Sequence, residues 1–357
     1  MSEMENESLE NLTASLVRIE SITGNERAIC SYIEDLLVSK RLGIECERIG
    51  ESLVVSSKLK ESLPTLGLIG HLDTVPGVGV GDAVRIEENR IVGLGSSDMK
   101  GGLGVMLKLI LDGIFSNSRF NLIFVFYAGE EGPFEENSLH ELFQRCQKLK
   151  TLDFVFILEP TNNDLHLGCM GLTNAKVSFS GKRAHSARPW TGDNAIHKAG
   201  EFLMRMSEFK PQKVLCNGLE FYECASVTLA QGGIAVNVIP DSFELNVNYR
   251  FPPGVGLADA QARFKAFVGD GAEVLFERNH PSCEVFDEHP IIRELLARFS
   301  LNKLPKQAYT DVALFSEHGI AGVNFGPGLT SQAHQSGEFI EIDALYKSYE
   351  IYRGFLN

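Results

Sequence analysis

The sequence lacks the features of several large classes of protein. Its longest apolar runs, such as Leu122–Ala128, fall far short of the roughly 18 residues that a membrane-spanning helix needs. Basic residues are few, with 33 Lys and Arg against 47 Asp and Glu and a formal net charge of −14. Because an acidic protein repels phosphate backbones and anionic lipids, we expect neither a nucleic-acid partner nor a membrane partner.

The cysteines do not form the pattern of a secreted, disulfide-linked protein. There are seven of them, an odd number, and no two are spaced as C-x-x-C. The first residues are acidic and lack the basic end and apolar stretch of a signal peptide. We therefore expect reduced thiols and a cytoplasmic location.

Buried strands and amphipathic helices alternate in much of the chain. The 357 residues suggest about two domains. Continuous apolar segments at Leu66–Gly70, Leu122–Tyr127 and Phe154–Leu158 predict buried strands. Helical patterns between them indicate an α/β layer with its sheet covered on both faces. Near the start, Thr23-Gly-Asn-Glu26 predicts a capping box at the beginning of a helix.

The middle of the chain has a different pattern. Half-exposed strands are predicted at Asn174–Ser180, Tyr222–Ala230 and Ser242–Phe251, with helical segments between and after them. The order β-α-β-β-α-β is that of a ferredoxin-like domain with one exposed sheet face. We therefore expect an inserted domain at 173–284, which divides the first domain into residues 1–172 and 285–357.

Candidate metal ligands lie in five clusters just past predicted strand ends or in loops. The clusters are G-H-L-D with His71 and Asp73, G-S-S-D-M-K-G-G with Asp98, A-G-E-E-G with Glu130 and Glu131, L-E-P-T with Glu159, and A-H-Q-S-G-E with His334. Adjacent carboxylates repel each other unless a cation or a proton separates them. Asp73 could accept the second ring N–H of a ligating His71. Two histidines and three carboxylates then suit paired divalent ions, zinc above all, and leave one acid as a general base. The residues alone thus predict a co-catalytic metal hydrolase.

The order of these motifs resembles the di-zinc aminoacylase and carboxypeptidase superfamily, nearly from end to end. Within it, R-A-H-S-A-R-P-W at 183–190, N-V-I-P at 237–240 and N-F-G-P-G at 324–328 are most similar to succinyl-diaminopimelate desuccinylases of the actinobacterial type. The resemblance implies an α/β zinc-hydrolase catalytic domain with a central mixed sheet. It also implies an inserted ferredoxin-like α+β domain that serves as a lid or for dimerisation.

The resemblance implies a ligand set for two Zn²⁺ per subunit, with Co²⁺ able to substitute. His71 and Glu159 would hold one ion, Glu131 and His334 would hold the other, and Asp98 would bridge them. Relatives also keep the peptide that follows the bridging acid in the cis form, here the bond between Asp98 and Met99.

The same resemblance implies roles for residues around the metals. The catalytic residues would be Glu130 as general base, Asp73 as the residue that orients His71, and His185 as a hydrogen-bond donor to the oxyanion. The substrate-binding residues would be Arg250, Asn237, Gly326 and Gly328. Among these, Arg250 suits a carboxylate, because its guanidinium is a planar fork of donors.

The implied reaction is hydrolysis of N-succinyl-LL-2,6-diaminopimelate to succinate and LL-diaminopimelate, a step in lysine and cell-wall precursor synthesis. The partners would be this small N-acyl amino acid and a second copy of the chain, bound through the inserted domain. An acetylornithine deacetylase or an amino-acid-releasing carboxypeptidase could share every metal ligand. An inactive binding or scaffold protein is the alternative from another class.

Overall fold

The chain divides into two compact units in a computed structural model that describes residues 7–77 and 84–357. The first unit comprises the described residues up to Leu167 together with Phe286–Leu304 and Leu314–Asn357. The second unit comprises Gly168–Val285 and Pro305–Ala313. The short segment Pro305–Ala313 belongs to the second unit, although no pattern in the sequence placed it there.

Both units contain helices and strands. The helices are α1 (Leu9–Arg18), α2 (Arg27–Ser39), α3 (Gly101–Leu111), α4 (Ile114–Asn117), α5 (Leu139–Arg145), α6 (Ala195–Lys198), α7 (Gly200–Glu208), α8 (Leu257–Val268), α9 (Pro290–Arg298), α10 (Val312–Glu317) and α11 (Ile342–Leu356). The strands are β1 (Glu45–Ile49), β2 (Ser52–Ser56), β3 (Thr65–His71), β4 (Arg85–Glu87), β5 (Arg90–Val92), β6 (Asn121–Tyr127), β7 (Phe154–Ile157), β8 (Leu165–Leu167), β9 (Gly171–Ser180), β10 (Ala184–His185), β11 (Gln212–Cys216), β12 (Leu219–Gly232), β13 (Val238–Ile239), β14 (Ser242–Phe251), β15 (Glu273–His280), β16 (Lys303–Pro305), β17 (Ala321–Asn324) and β18 (Phe339–Glu341).

A mixed sheet forms the centre of the first unit. Its strand order is β1-β2-β6-β3-β7-β17-β8-β16, and the neighbours β6, β3, β7 and β17 run parallel. Every residue of β3, β6 and β7 is buried, as expected for strands that are covered on both faces. Helix α3 packs against α1 and α11. The predicted α/β class with a central mixed sheet is confirmed.

The start of α2 differs from the prediction. The helix begins after Glu26, and no side chain caps it. The Glu26 carboxylate accepts from the backbone N–H of Gly24 at 2.8 Å, and the Thr23 hydroxyl donates to Asp73 Oδ2 at 2.9 Å. The predicted capping box is therefore wrong, because Thr23 lies three residues before the position that precedes the helix, and its hydroxyl donates to Asp73 instead.

The second unit contains an antiparallel sheet in the order β11-β12-β14-β9-β15. Its elements follow the predicted β-α-β-β-α-β order, with β11 as an added strand. Along β14 buried and partly exposed residues alternate, so that one face of the sheet enters a core with Phe202 of α7 and Phe264 of α8. No helix in the described parts of either unit is both long and apolar enough to cross a membrane.

Candidate active site

The parallel strands of the first unit bring four of the candidate residues to one edge. His71 is the last residue of β3, Glu130 and Glu131 follow β6, and Glu159 follows β7. Strands β6, β3 and β7 are adjacent and parallel, so their carboxyl ends meet. This is the edge at which α/β sheets usually hold their functional groups.

A first group of possible ligands is formed by His71, Asp98 and Glu159. His71 Nε2 lies 3.2 Å from Asp98 Oδ1 and 3.8 Å from Glu159 Oε1. The other ring nitrogen, Nδ1, lies 3.0 Å from the backbone carbonyl of Asp73. Burial disfavours the charged ring, but contacts with the Asp73 and Asp98 carboxylates raise the pKa of His71 well above its usual value.

A second group is formed by His334, Glu131 and, again, Asp98. His334 Nε2 lies 2.8 Å from Glu131 Oε1 and 3.7 Å from Asp98 Oδ2. The Glu131 carboxylate raises the pKa of His334 to about 9. The two oxygens of Asp98 thus face different histidines, His71 and His334.

These residues fit divalent metal ions. In each of the two groups, one nitrogen or oxygen atom per residue lies within 4.8 Å of the others. The donors are one imidazole nitrogen and two carboxylate oxygens per group, a set that suits zinc and related cations. His71, Glu130 and Glu131 form a further group by the same measure, which places Glu130 beside the two histidine–carboxylate groups.

Asp73 fixes the turn that carries the paired glutamates. Its carboxylate is buried and accepts hydrogen bonds from the backbone N–H of Glu130 at 3.1 Å and of Glu131 at 3.0 Å. Its Oδ1 also lies 3.5 Å from His71 Nδ1. Burial raises the pKa of Asp73, but the contact with His71 and these hydrogen bonds outweigh it and lower the pKa. Asp73 therefore contacts both His71 and the turn at 130–131.

The loop before α3 has the backbone geometry that the resemblance implied. The peptide bond between Asp98 and Met99 is cis. The Met99 sulfur accepts from the backbone N–H of His71 at 3.3 Å, so the loop packs directly on the end of β3.

Gly326 and Gly328 lie in a loop that packs tightly against neighbouring backbone. A Cβ on Gly326 would lie 2.4 Å from the Leu158 carbonyl oxygen, and one on Gly328, where φ is +88°, would lie 2.5 Å from Ser97 Oγ. The Thr161 hydroxyl also donates to the Gly326 carbonyl and accepts from the Gly326 N–H, both at 3.1 Å. The described contacts of these glycines are thus with the segments that carry Glu159 and Asp98.

The remaining predicted residues, His185, Asn237 and Arg250, belong to the second unit. His185 is exposed on β10, which pairs with β13, and Ser186 N–H donates to the Asn237 carbonyl at 2.9 Å. Arg250 is partly buried on β14, and its Nε donates to Asn248 Oδ1 at 3.0 Å. His185 and Asn237 are therefore in adjoining segments of this unit.

Two residues beside the site make contacts that the sequence did not predict. Lys100 is buried, and its Nζ donates to the Ile19 carbonyl at 2.7 Å. Burial lowers the pKa of Lys100 to about 8. Glu338 accepts hydrogen bonds from three backbone N–H groups in the loop that carries Asp98. Both residues lie inside motifs, D-M-K-G-G and A-H-Q-S-G-E, but only the folded chain shows what they contact.

Two histidine–carboxylate groups that share one aspartate, with a further glutamate beside them, are the arrangement expected of a metal-dependent hydrolase. Residues 67–357 match Peptidase family M20/M25/M40, and the chain belongs to this family. The family and the relatives below make it a metal-dependent amidohydrolase.

The relatives are similar to the chain over nearly their whole length. A putative succinyl-diaminopimelate desuccinylase of Mycobacterium tuberculosis is 33% identical, with 97% of each chain covered. A succinyl-diaminopimelate desuccinylase of Corynebacterium glutamicum is 31% identical, with 97% of this chain and 95% of the relative covered. The crystal structure of a tripeptidase from Staphylococcus aureus superimposes with a TM-score of 0.78 at 22% identity, covering 99% of this chain and 98% of that one. The likeness to the tripeptidase structure supports the fold of this chain.

Proposed function

We propose that the protein hydrolyses N-succinyl-LL-2,6-diaminopimelate to succinate and LL-diaminopimelate with two bound zinc ions. The observation that carries the two-ion proposal is the position of Asp98, whose two oxygens face His71 and His334 separately. The names of the two relatives that are 33% and 31% identical support the substrate.

His71, Glu159 and Asp98 would hold one ion, and Glu131, His334 and Asp98 the other. When bound, the ions polarise the amide carbonyl and lower the pKa of water towards 7. Hydrolysis of the substrate's amide bond also requires a group that takes a proton from the attacking water and delivers one to the leaving amine.

Glu130 is the residue that performs this proton transfer. It lies beside His71 and Glu131, and its backbone N–H is held by the Asp73 carboxylate. Because Asp73 binds the backbone of both glutamates, it sets the direction from which the Glu130 carboxylate approaches the water. Asp73 also holds His71, so it acts as a positioning residue for ligand and base together.

His185 supplies a hydrogen bond to the oxyanion. Its Nδ1 accepts from the backbone N–H of Ala187 at 3.1 Å, so the neutral ring carries its proton on Nε2. This leaves Nε2–H on an exposed side chain as a donor. We propose that the chain forms a homodimer through the second unit, and that His185 of each subunit acts in the active site of the other.

Arg250 recognises a substrate carboxylate. Within the parts of the chain that the structure describes, it bonds to Asn248 and forms an ion pair with no acid. Burial lowers the pKa of Arg250, because a partly buried cation without a carboxylate partner is poorly solvated. The succinyl group ends in a carboxylate that can accept two guanidinium hydrogen bonds, whereas acetyl ends in a methyl. Asn237, exposed in the segment next to His185, would contact the same substrate.

Arg250→Ala is expected to lower the preference for succinylated over acetylated substrates by roughly 10- to 100-fold, since a hydrogen bond to a charged group contributes about 1.5–3 kcal/mol. The measurement is the ratio of kcat/KM for N-succinyl- and N-acetyl-diaminopimelate. Arg263→Ala, at an exposed arginine on α8, is the matched control and should keep the ratio. An unchanged ratio in Arg250→Ala would remove this residue from substrate recognition.

The proposed substrate is tested with the unmodified protein, zinc and a panel of compounds. The panel contains N-succinyl-LL-diaminopimelate, N-acetylornithine and dipeptides, and kcat/KM should be highest for the first. Faster hydrolysis of N-acetylornithine would indicate a deacetylase, and faster release of amino acids from dipeptides would indicate a carboxypeptidase. Either result rejects the desuccinylase proposal and leaves the metal site standing.

A further inference from the structure

Glu338 is a buried acid with an unusual set of partners. Only 2% of the residue is exposed. Its Oε1 accepts from the backbone N–H of Ser97 at 2.7 Å and of Asp98 at 2.9 Å, and its Oε2 accepts from that of Gly95 at 2.7 Å. Both carboxylate oxygens are thus directed at backbone amides of the loop that carries Asp98.

The same glutamate immediately precedes a separate three-stranded sheet, β18-β5-β4. Its backbone carbonyl accepts from Gly93 N–H at 2.9 Å, and the next residues form β18, which pairs with β5. Glu338 also follows His334 by four residues. One side chain therefore joins the segment that carries His334 to the loop that carries Asp98.

The amides that Glu338 holds belong to the part of the loop whose geometry decides where Asp98 points. A backbone N–H that is buried without an acceptor is costly, so the loop keeps this arrangement while the carboxylate is present. Without it, Ser97 and Asp98 would turn towards other acceptors. Asp98 would then no longer face His71 and His334 with its two oxygens.

We propose that Glu338 is a positioning residue that aims Asp98 at both metal positions by fixing the amides of residues 95–98. This inference rests on the proposed two-metal function. Loss of the carboxylate would therefore weaken the binding of the two ions that share Asp98. It would affect substrate binding less.

Glu338→Gln is the direct test, because glutamine keeps the size but replaces one acceptor oxygen with an NH₂ group that faces N–H donors. After dialysis against a weak chelator, we expect fewer zinc ions per chain than in the unmodified protein. The visible spectrum of the cobalt-loaded variant should shift, since it reports ligand geometry. At saturating zinc, kcat should fall at least 10-fold while KM changes less than about 3-fold.

Glu341→Gln is the matched control, three residues further on, at a partly exposed glutamate that pairs with Arg90 at 3.7 Å. It should retain the zinc content and the cobalt spectrum. Glu338→Asp keeps both acceptor oxygens on a shorter side chain and should recover part of the lost zinc.

Normal zinc content, cobalt spectrum and kcat in Glu338→Gln would overturn the proposal. Failure of both Glu338 variants to fold would also overturn it, because the residue would then serve the stability of the fold. Since zinc content and the cobalt spectrum require no substrate, a wrong substrate assignment leaves this test intact. Absence of bound metal in the unmodified protein would instead reject the proposed function itself.

Discussion

Glu130→Gln is expected to lower kcat by roughly 10²–10⁴-fold while the metal content stays that of the unmodified protein. Glutamine fills the same space but accepts no proton at neutral pH, so the attacking water loses its base. Glu130 is one carboxylate more than the two ligand groups around Asp98 require. The measurement is kcat at saturating substrate beside the zinc content of the same preparation.

Two neighbouring glutamates make this experiment selective. Glu131→Gln should lose zinc, because Glu131 contacts His334 at 2.8 Å and belongs to the second ligand group. Glu135→Gln, at an exposed position after the same strand, should behave as the unmodified protein. Equal loss of zinc in the Glu130 and Glu131 variants would show that the roles within the pair are wrongly assigned.

His185→Ala is expected to keep both metals and to lower kcat by roughly 10²–10³-fold, the usual effect of removing an oxyanion donor. The Ala187 amide donates to Nδ1 of the ring, and alanine removes the remaining Nε2–H donor from a residue of the second unit. His197→Ala, at an exposed histidine of the same unit, is the control and should retain full activity.

Mixing inactive variants tests whether His185 acts on a second copy of the chain. In a heterodimer of His185→Ala and Glu130→Gln subunits, one active site contains both an intact base and an intact histidine from the other subunit. Activity should return once labelled protein shows that subunits have exchanged. Verified heterodimers that remain inactive would place the histidine within its own subunit or outside the mechanism.

Much of the first unit could be predicted from the sequence because its strands are buried on both faces. Uninterrupted apolar runs marked β3, β6 and β7, and the structure confirms these strands within one residue at each end. Their parallel order follows from the helices between them. Once the strands are parallel, polar residues that follow each of them must meet at one edge, and His71, Glu131 and Glu159 do so.

The sequence did not predict contacts between residues that are distant along the chain. Thr23 has the spacing of a helix cap, yet its hydroxyl donates to Asp73, 50 residues away. Strand β11 is short and largely exposed, so it lacks the apolar pattern on which strand prediction depends. The role proposed for Glu338 depends on hydrogen bonds to residues more than 230 positions earlier in the chain.

The most direct test of the account is a crystal structure of the zinc-loaded protein with anomalous diffraction at the zinc edge. It should show two ions about 3.5–4 Å apart, the separation typical of two-metal hydrolases. One oxygen of Asp98 should bind each ion, with His71 and Glu159 on one and Glu131 and His334 on the other. A single ion in fully loaded crystals, or two ions without contact to Asp98, would contradict the account.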